Sequence, residues 1–251
     1  KNTLILAAMT KVYSKWYAEW FNTKYYHILY KDRDYKEAQF FMKNLVKYLQ
    51  LAPKSKILDL ACGRGRHSIY LHKMGFEVIG TDLSKNSIDL AKKHEQPGLS
   101  FKVQDMSKAL GLEFDAVFNL FTSFGYFEKE ENNLNTIKAI KAELKSDGFG
   151  VIDFMNTKKV INNLVSRDAK TVEGIEFHQE RWVENNFIFK QIDFEDHSVE
   201  YSFTERVNAL TLKDFQNYFD QAGIQLLSVF GDYHLHEFDE EKSDRLILIF
   251  Q

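Results

Sequence analysis

Apolar residues change their spacing several times along this chain, and each change marks an element. Tyr13, Trp16, Tyr17, Trp20 and Phe21 recur at intervals of three and four, and Phe41, Leu45, Tyr48 and Leu49 do so again before Pro53 stops the segment. Residues 9–50 are therefore predicted to hold two or three helices. Short β-type runs follow near 56–61, 76–81, 99–103, 114–119 and 148–154. Between them lie helical patterns centred on 70, 89 and 137; the last carries Leu134, Ile137, Ile140 and Leu144, and Asp147 with Gly148 turns the chain back. This alternation predicts an α/β domain whose mostly parallel sheet has helices on both faces.

From about 171 the pattern changes. Glu176 to Val183, Asn186 to Ile192 and Val199 to Val207 are β-rich with no helix between them, which predicts an antiparallel meander. Thr211 with Asp214 reads as a capping box, Phe215, Phe219 and Ala222 line a helix face, and Gly223 ends it. Ile224 to Phe230 and Leu246 to Phe250 return as strands. The expected organisation is an N-terminal helical cap over 1–50, a cofactor-binding core over 51–155, an antiparallel β insertion over the active site across 156–209, and the rest of the core sheet over 210–251.

Candidate chemistry concentrates where the first of these strands ends. Ile57 to Leu60 leads into Ala61-Cys62-Gly63-Arg64-Gly65, followed by a helical stretch from His67 to Met74 and a strand from Phe76 to Gly80. A βαβ unit with a glycine-rich first turn binds nucleoside cofactors at the carboxyl ends of its strands. Asp59 stands close to the turn, where an anion repels a diphosphate and attracts an ammonium or sulfonium group. Asp82, after the second strand, offers two acceptor oxygens to the vicinal hydroxyls of a ribose. Ser68 occupies the place of the third glycine in the dinucleotide pattern. The set suits a positively charged adenosyl cofactor better than an anionic dinucleotide.

Asp59 to Gly65 and Val78 to Ser84 resemble the glycine-rich and acidic motifs of the class I S-adenosylmethionine-dependent methyltransferases. Val103-Gln104-Asp105-Met106 is similar to the family's third motif, and Phe114 to Phe121 to its fourth strand and following loop. The resemblance implies a Rossmann-like seven-stranded sheet and S-adenosyl-L-methionine as cofactor. It implies Asp59, Ala61, Gly63, Gly65 and Asp82 around the cofactor, Asp105 at the adenine amino group, Leu83 and Met106 as apolar walls, and Phe121 alongside. A solvated loop acid is the plainer reading of Asp105, as ordinary packing is of Leu83, Met106 and Phe121. The aromatic N-terminal segment and the loop from Phe121 to Tyr126 look most like small-molecule N-methyltransferases, including glycine and amino-sugar enzymes. Tyr26, Tyr30 and Arg33, at helical spacing, are expected to close over the cofactor's carboxylate, which an arginine pairs bidentately; pairing of Arg33 with Asp32 or Asp34 is equally open.

Composition narrows the partners. In 251 residues Lys+Arg number 33 against Asp+Glu 36, a formal charge of −3 that provides no basic field for nucleic acid or an anionic bilayer. A single cysteine, Cys62, excludes an internal disulfide and reads as a small buried filler. Leu4 to Ala8 is apolar but too short to span a membrane, so a soluble, cytoplasmic protein is expected. No metal is expected, because His234 and His236 lack a third ligand. No general base stands out. The sequence after the fourth strand is Asn119-Leu120-Phe121-Thr122 rather than the Asn/Asp-Pro-Pro-aromatic form of many methyltransferases of base or glutamine amino groups, which points to a nitrogen or oxygen of a small-molecule acceptor. A non-catalytic S-adenosylmethionine-binding module and an NAD(P)-dependent oxidoreductase are the alternatives.

Overall fold

The computed structural model describes residues 16–31 and 35–251. Tyr13 and Arg33 of the sequence expectations, and the apolar Leu4 to Ala8, lie outside them. In chain order the strands are β1 (Lys56–Leu60), β2 (Glu77–Asp82), β3 (Leu99–Val103), β4 (Phe114–Asn119), β5 (Leu144–Met155), β6 (Arg167–Val172), β7 (Ile175–Glu184), β8 (Phe187–Asp196), β9 (Val199–Asn208), β10 (Leu226–Phe230) and β11 (Arg245–Phe250). Two compact units result, one from the described part of Lys1–Arg33 with Asn163–Ala209, the other from Asp34–Asn162 with Leu210–Gln251.

The larger unit holds a seven-stranded sheet in the order β10-β11-β5-β4-β1-β2-β3. β1 to β5 pair in parallel, and β11 runs antiparallel to both its neighbours. Successive side chains of these strands point to opposite faces, and each face has its own helices. Ile57, Ala116, Phe118, Val151, Ile247 and Ile249 are buried with Phe41 and Leu45 of the helix Tyr35–Tyr48 and Leu71 of the helix Arg66–Lys73. On the other face Phe154 and Phe250 meet Phe215 and Phe219 of the helix Leu212–Ala222. That helix has the expected Thr211–Asp214 capping box and ends on Gly223 at φ 64°. The sheet order reverses at β1, with β2 and β3 on one side and β4 on the other, so a crevice opens at its carboxyl end.

The smaller unit is a four-stranded antiparallel meander, β6-β7-β8-β9, accompanied by the helices Trp16–Trp20 and Lys24–Leu29. Each hairpin closes through two residues at positive φ, namely Glu173-Gly174, Asn185-Asn186 and His197-Ser198. Paired positive φ values make the primed turns that match strand twist. Trp20 packs on Phe203 with centroids 4.6 Å apart and donates from Nε1 to Glu205 at 2.7 Å.

Three local expectations need correction. Leu144 opens β5 instead of closing the preceding helix, because that helix, Glu130–Glu143, caps at Leu144 in extended conformation. The meander has a fourth strand, β6, whose residues are exposed except Val172, leaving no apolar alternation to read. A short helix, Thr157–Asn162, follows β5 where none was foreseen.

The sheet interior tolerates no added bulk at Gly150, where a Cβ would stand 2.1 Å from the Phe250 ring. Gly150→Ala should destabilise the fold by about 1–3 kcal/mol. Urea titration checks this; a loss below about 0.5 kcal/mol would show that the ring moves aside freely.

Candidate cofactor site

The turn after β1 is built by its neighbours. The N–H of Cys62 donates to the Thr81 carbonyl at 2.9 Å, Gly65 N–H to the Cys62 carbonyl at 3.0 Å, and Gly63 N–H to Asp82 Oδ2 at 2.9 Å. Ala61, Gly63 and Gly65 all take positive φ, 58°, 57° and 81°. At Gly65 a Cβ would also come within 2.6 Å of Phe101, so both backbone shape and packing require glycine. Gly63 differs: nothing lies within 4 Å of a Cβ built there, which leaves an open cradle.

Two carboxyl groups flank the turn. Asp82 Oδ1 accepts from Ser84 N–H at 2.7 Å, while Ser84 caps the helix Lys85–Ala91 through its own hydroxyl. Each Asp82 oxygen thus keeps a lone pair beyond its backbone donor. Asp59 is 1% exposed and receives the Ser68 hydroxyl at 2.5 Å. Burial pushes its pKa up to about 7, against the Ser68 hydrogen bonds. Asp59 is therefore not the full anion expected from sequence, but divides between its two forms near neutral pH. Burial likewise raises Asp82 and the Cys62 thiol. Ser68 is wholly buried, its hydroxyl 2.7 Å from where a Gly80 Cβ would be. A small residue does fill the close-packing position, so Ser68 does not itself discriminate against a dinucleotide.

Beyond β4, Asn119 donates from Nδ2 to the Leu60 carbonyl at 3.2 Å and approaches Met106 Sδ at 3.9 Å. Its Oδ1 is buried with no hydrogen-bond partner. Phe121 lies flat against His67, centroids 4.7 Å apart, in the first turn of the helix after Gly65.

The structure gathers Asp59, Ala61, Gly63, Gly65, Asp82, Met106 and Phe121 along the carboxyl edge of the sheet, with Leu83 exposed beside Asp82 and Asp105 in the turn after β3. Asp105 Oδ1 accepts from the N–H and hydroxyl of Ser107, at 2.9 and 2.8 Å. Tyr26 and Tyr30 belong to the smaller unit, where the Tyr30 hydroxyl donates to Glu205 at 2.8 Å and the Tyr26 ring packs against Trp20 and Phe21. Asn119 was missed, although a lone amide inside the apolar run from Ala116 to Leu120 is a readable signal. Among the described residues no cluster of His, Cys, Asp and Glu could hold a metal.

Residues 57–148 match the family described as a methyltransferase domain. YqeM of Bacillus subtilis (strain 168), named as a methyltransferase, is 37% identical over 115 residues, covering 44% of this chain and 46% of that protein. Residues 57–148 carry a class I S-adenosylmethionine-dependent methyltransferase domain. The glycine/sarcosine N-methyltransferase of Aphanothece halophytica is 26% identical over 234 residues, 88% of this chain and 84% of that one. An S-adenosylmethionine-dependent methyltransferase from Clostridium acetobutylicum ATCC 824 shares the fold at TM-score 0.77 and 20% identity, covering 90% of this chain and 95% of that one.

The residues present fit S-adenosylmethionine. Within the turn the N–H groups of Cys62, Gly63 and Gly65 are engaged by the protein itself. Beside it Asp82 keeps spare lone pairs as acceptors, one on each oxygen. Ribose hydroxyls and amino groups are donors and match them; a diphosphate, which only accepts, does not.

The raised pKa of Asp59 makes a pH prediction. Between its unfolded value near 3.8 and its folded value of about 7 the native state binds the extra proton, so stability falls as pH rises through that window and levels off above it. In Asp59→Asn this decline should be shallower, as followed by urea denaturation from pH 4 to 8. An unchanged slope would mean that Asp59 is ionised throughout.

Proposed function

We propose that the protein transfers the methyl group of S-adenosylmethionine to a nitrogen of a small-molecule acceptor. The observation that carries the cofactor half of this reading is the acceptor-lined turn, with Asp82 oriented by Gly63 and Ser84. In it Asp82 takes the ribose hydroxyls, Gly63 lets the backbone approach, Asp105 meets the adenine amino group, and Leu83, Met106 and Phe121 wall the base and sulfur. Bound S-adenosylmethionine supplies an activated methyl group on a sulfonium centre. The protein's share is then alignment of the acceptor and exclusion of water, which requires no strong base.

Support for a small nitrogen acceptor comes from the N-methyltransferase of Aphanothece halophytica, whose similarity runs over most of both chains. A formal charge of −3 accords with a metabolite better than with a polyanion. Asp82→Ala should lower calorimetric affinity for S-adenosylmethionine by about tenfold or more, with circular dichroism confirming the fold. Unchanged affinity in a folded variant would refute the ribose assignment. Labelled methyl transfer to a library of amines, amino acids and amino sugars tests the acceptor; a wild-type protein that binds the cofactor yet labels only hydroxyl compounds would overturn the nitrogen reading.

A further inference from the structure

The loop after β4 contains a conformation that its sequence does not favour. Phe121 and Thr122 both stand at φ 58°, the left-handed region that a bulky aromatic and a β-branched residue avoid. Such a pair persists only where surrounding contacts over-determine it, and here one buried group supplies most of them. Asp153 of β5 is 0% exposed. Its Oδ2 accepts the Phe121 N–H at 2.8 Å and its carbonyl accepts the Thr122 N–H at 3.0 Å. Arg245, the first residue of β11, donates from Nε to Asp153 Oδ1 and from Nη2 to Thr122 Oγ1, both at 2.8 Å. The Thr122 carbonyl accepts the Tyr126 hydroxyl at 2.6 Å, and the Tyr233 hydroxyl reaches Asp153 Oδ2 at 3.3 Å.

These contacts serve the Phe121 ring. The twisted loop sets it against His67, two residues past Gly65, with Tyr233 on another side at 5.3 Å. We infer that the Asp153–Arg245 pair is a positioning device for the cofactor turn, holding Phe121-Thr122 in a strained form so that Phe121 fixes the first turn of the helix after Gly65. The inference rests on the cofactor reading above. Neither residue touches the cofactor in it; they act through Phe121.

Arg245→Lys tests it, because an ammonium cannot span Asp153 and Thr122 with the geometry of a guanidinium fork. Affinity for S-adenosylmethionine, measured by calorimetry, should fall about tenfold. Thr122→Asn, added to that variant, should restore affinity to within about threefold of wild type without restoring the melting temperature, since asparagine accepts the left-handed conformation. A purely structural pair would lower the melting temperature and leave affinity at the wild-type value, and that outcome, or failure of the asparagine rescue, overturns the proposal. If Arg245→Lys does not fold, Thr122→Val carries the same expectation and the same refutation, as it removes the hydroxyl that Arg245 holds. Wild-type protein without affinity for the cofactor would defeat the cofactor reading itself; wild-type binding with indifferent variants defeats only this inference.

Discussion

The carboxylate of Asp82 joins two turns that would otherwise have nothing in common. One oxygen takes the amide hydrogen of Gly63, after β1, and the other that of Ser84, after β2. With Cys62 hydrogen-bonded to Thr81 and Gly65 closing on Cys62, the glycine-rich turn becomes an extension of the strand ends. Three of its N–H groups, those of Cys62, Gly63 and Gly65, are used in fixing its shape. The oxygens of Asp82 keep the lone pairs that these two bonds leave over, and they face the crevice as acceptors.

Asp59, Asp82 and Asp153 repeat one device along the carboxyl edge of the sheet. Each ends or nearly ends a strand, and each ties down what comes next: Asp59 through Ser68, Asp82 through Gly63 and Ser84, Asp153 through the Phe121-Thr122 loop and Arg245. Burying a carboxyl group is costly unless its oxygens are satisfied, and backbone or hydroxyl donors from an adjoining loop satisfy them. The cost shows in the raised pKa of Asp59 and Asp82, where burial is the leading cause.

Local signals carried most of this architecture in the sequence. The strands of the parallel sheet were legible from short apolar runs, the helix Leu212–Ala222 from Thr211, Asp214 and Gly223, and the cofactor turn from two glycines between two acids. Apart from Asn119, what escaped had little local signal. β6 is exposed except at Val172, and what ties it to β7 besides the backbone is charge, Arg167 with Glu180 and Asp168 with Arg181, neither of which reads as a strand signal. Asp153 and Arg245 stand 92 positions apart, and nothing near either names the other. A solitary acid within Val151-Ile152-Asp153-Phe154 does announce an unusual buried group, but not its purpose. The raised pKa of Asp59 escaped for a related reason, since proximity to a turn says nothing about depth.

The segments of the two units alternate along the chain, and this sets a timetable for folding. β11 lies between β5 and β10, so the large sheet stays open until residues 245–250 have been made. Trp20 finds Glu205 across 185 positions, so the opening helices wait for β9. Until residues 245–250 are made, β5 has no partner on the side that β11 later fills. Chains dominated by such distant pairings close slowly, because the entropy of closing the loop is lost before the contacts reward it.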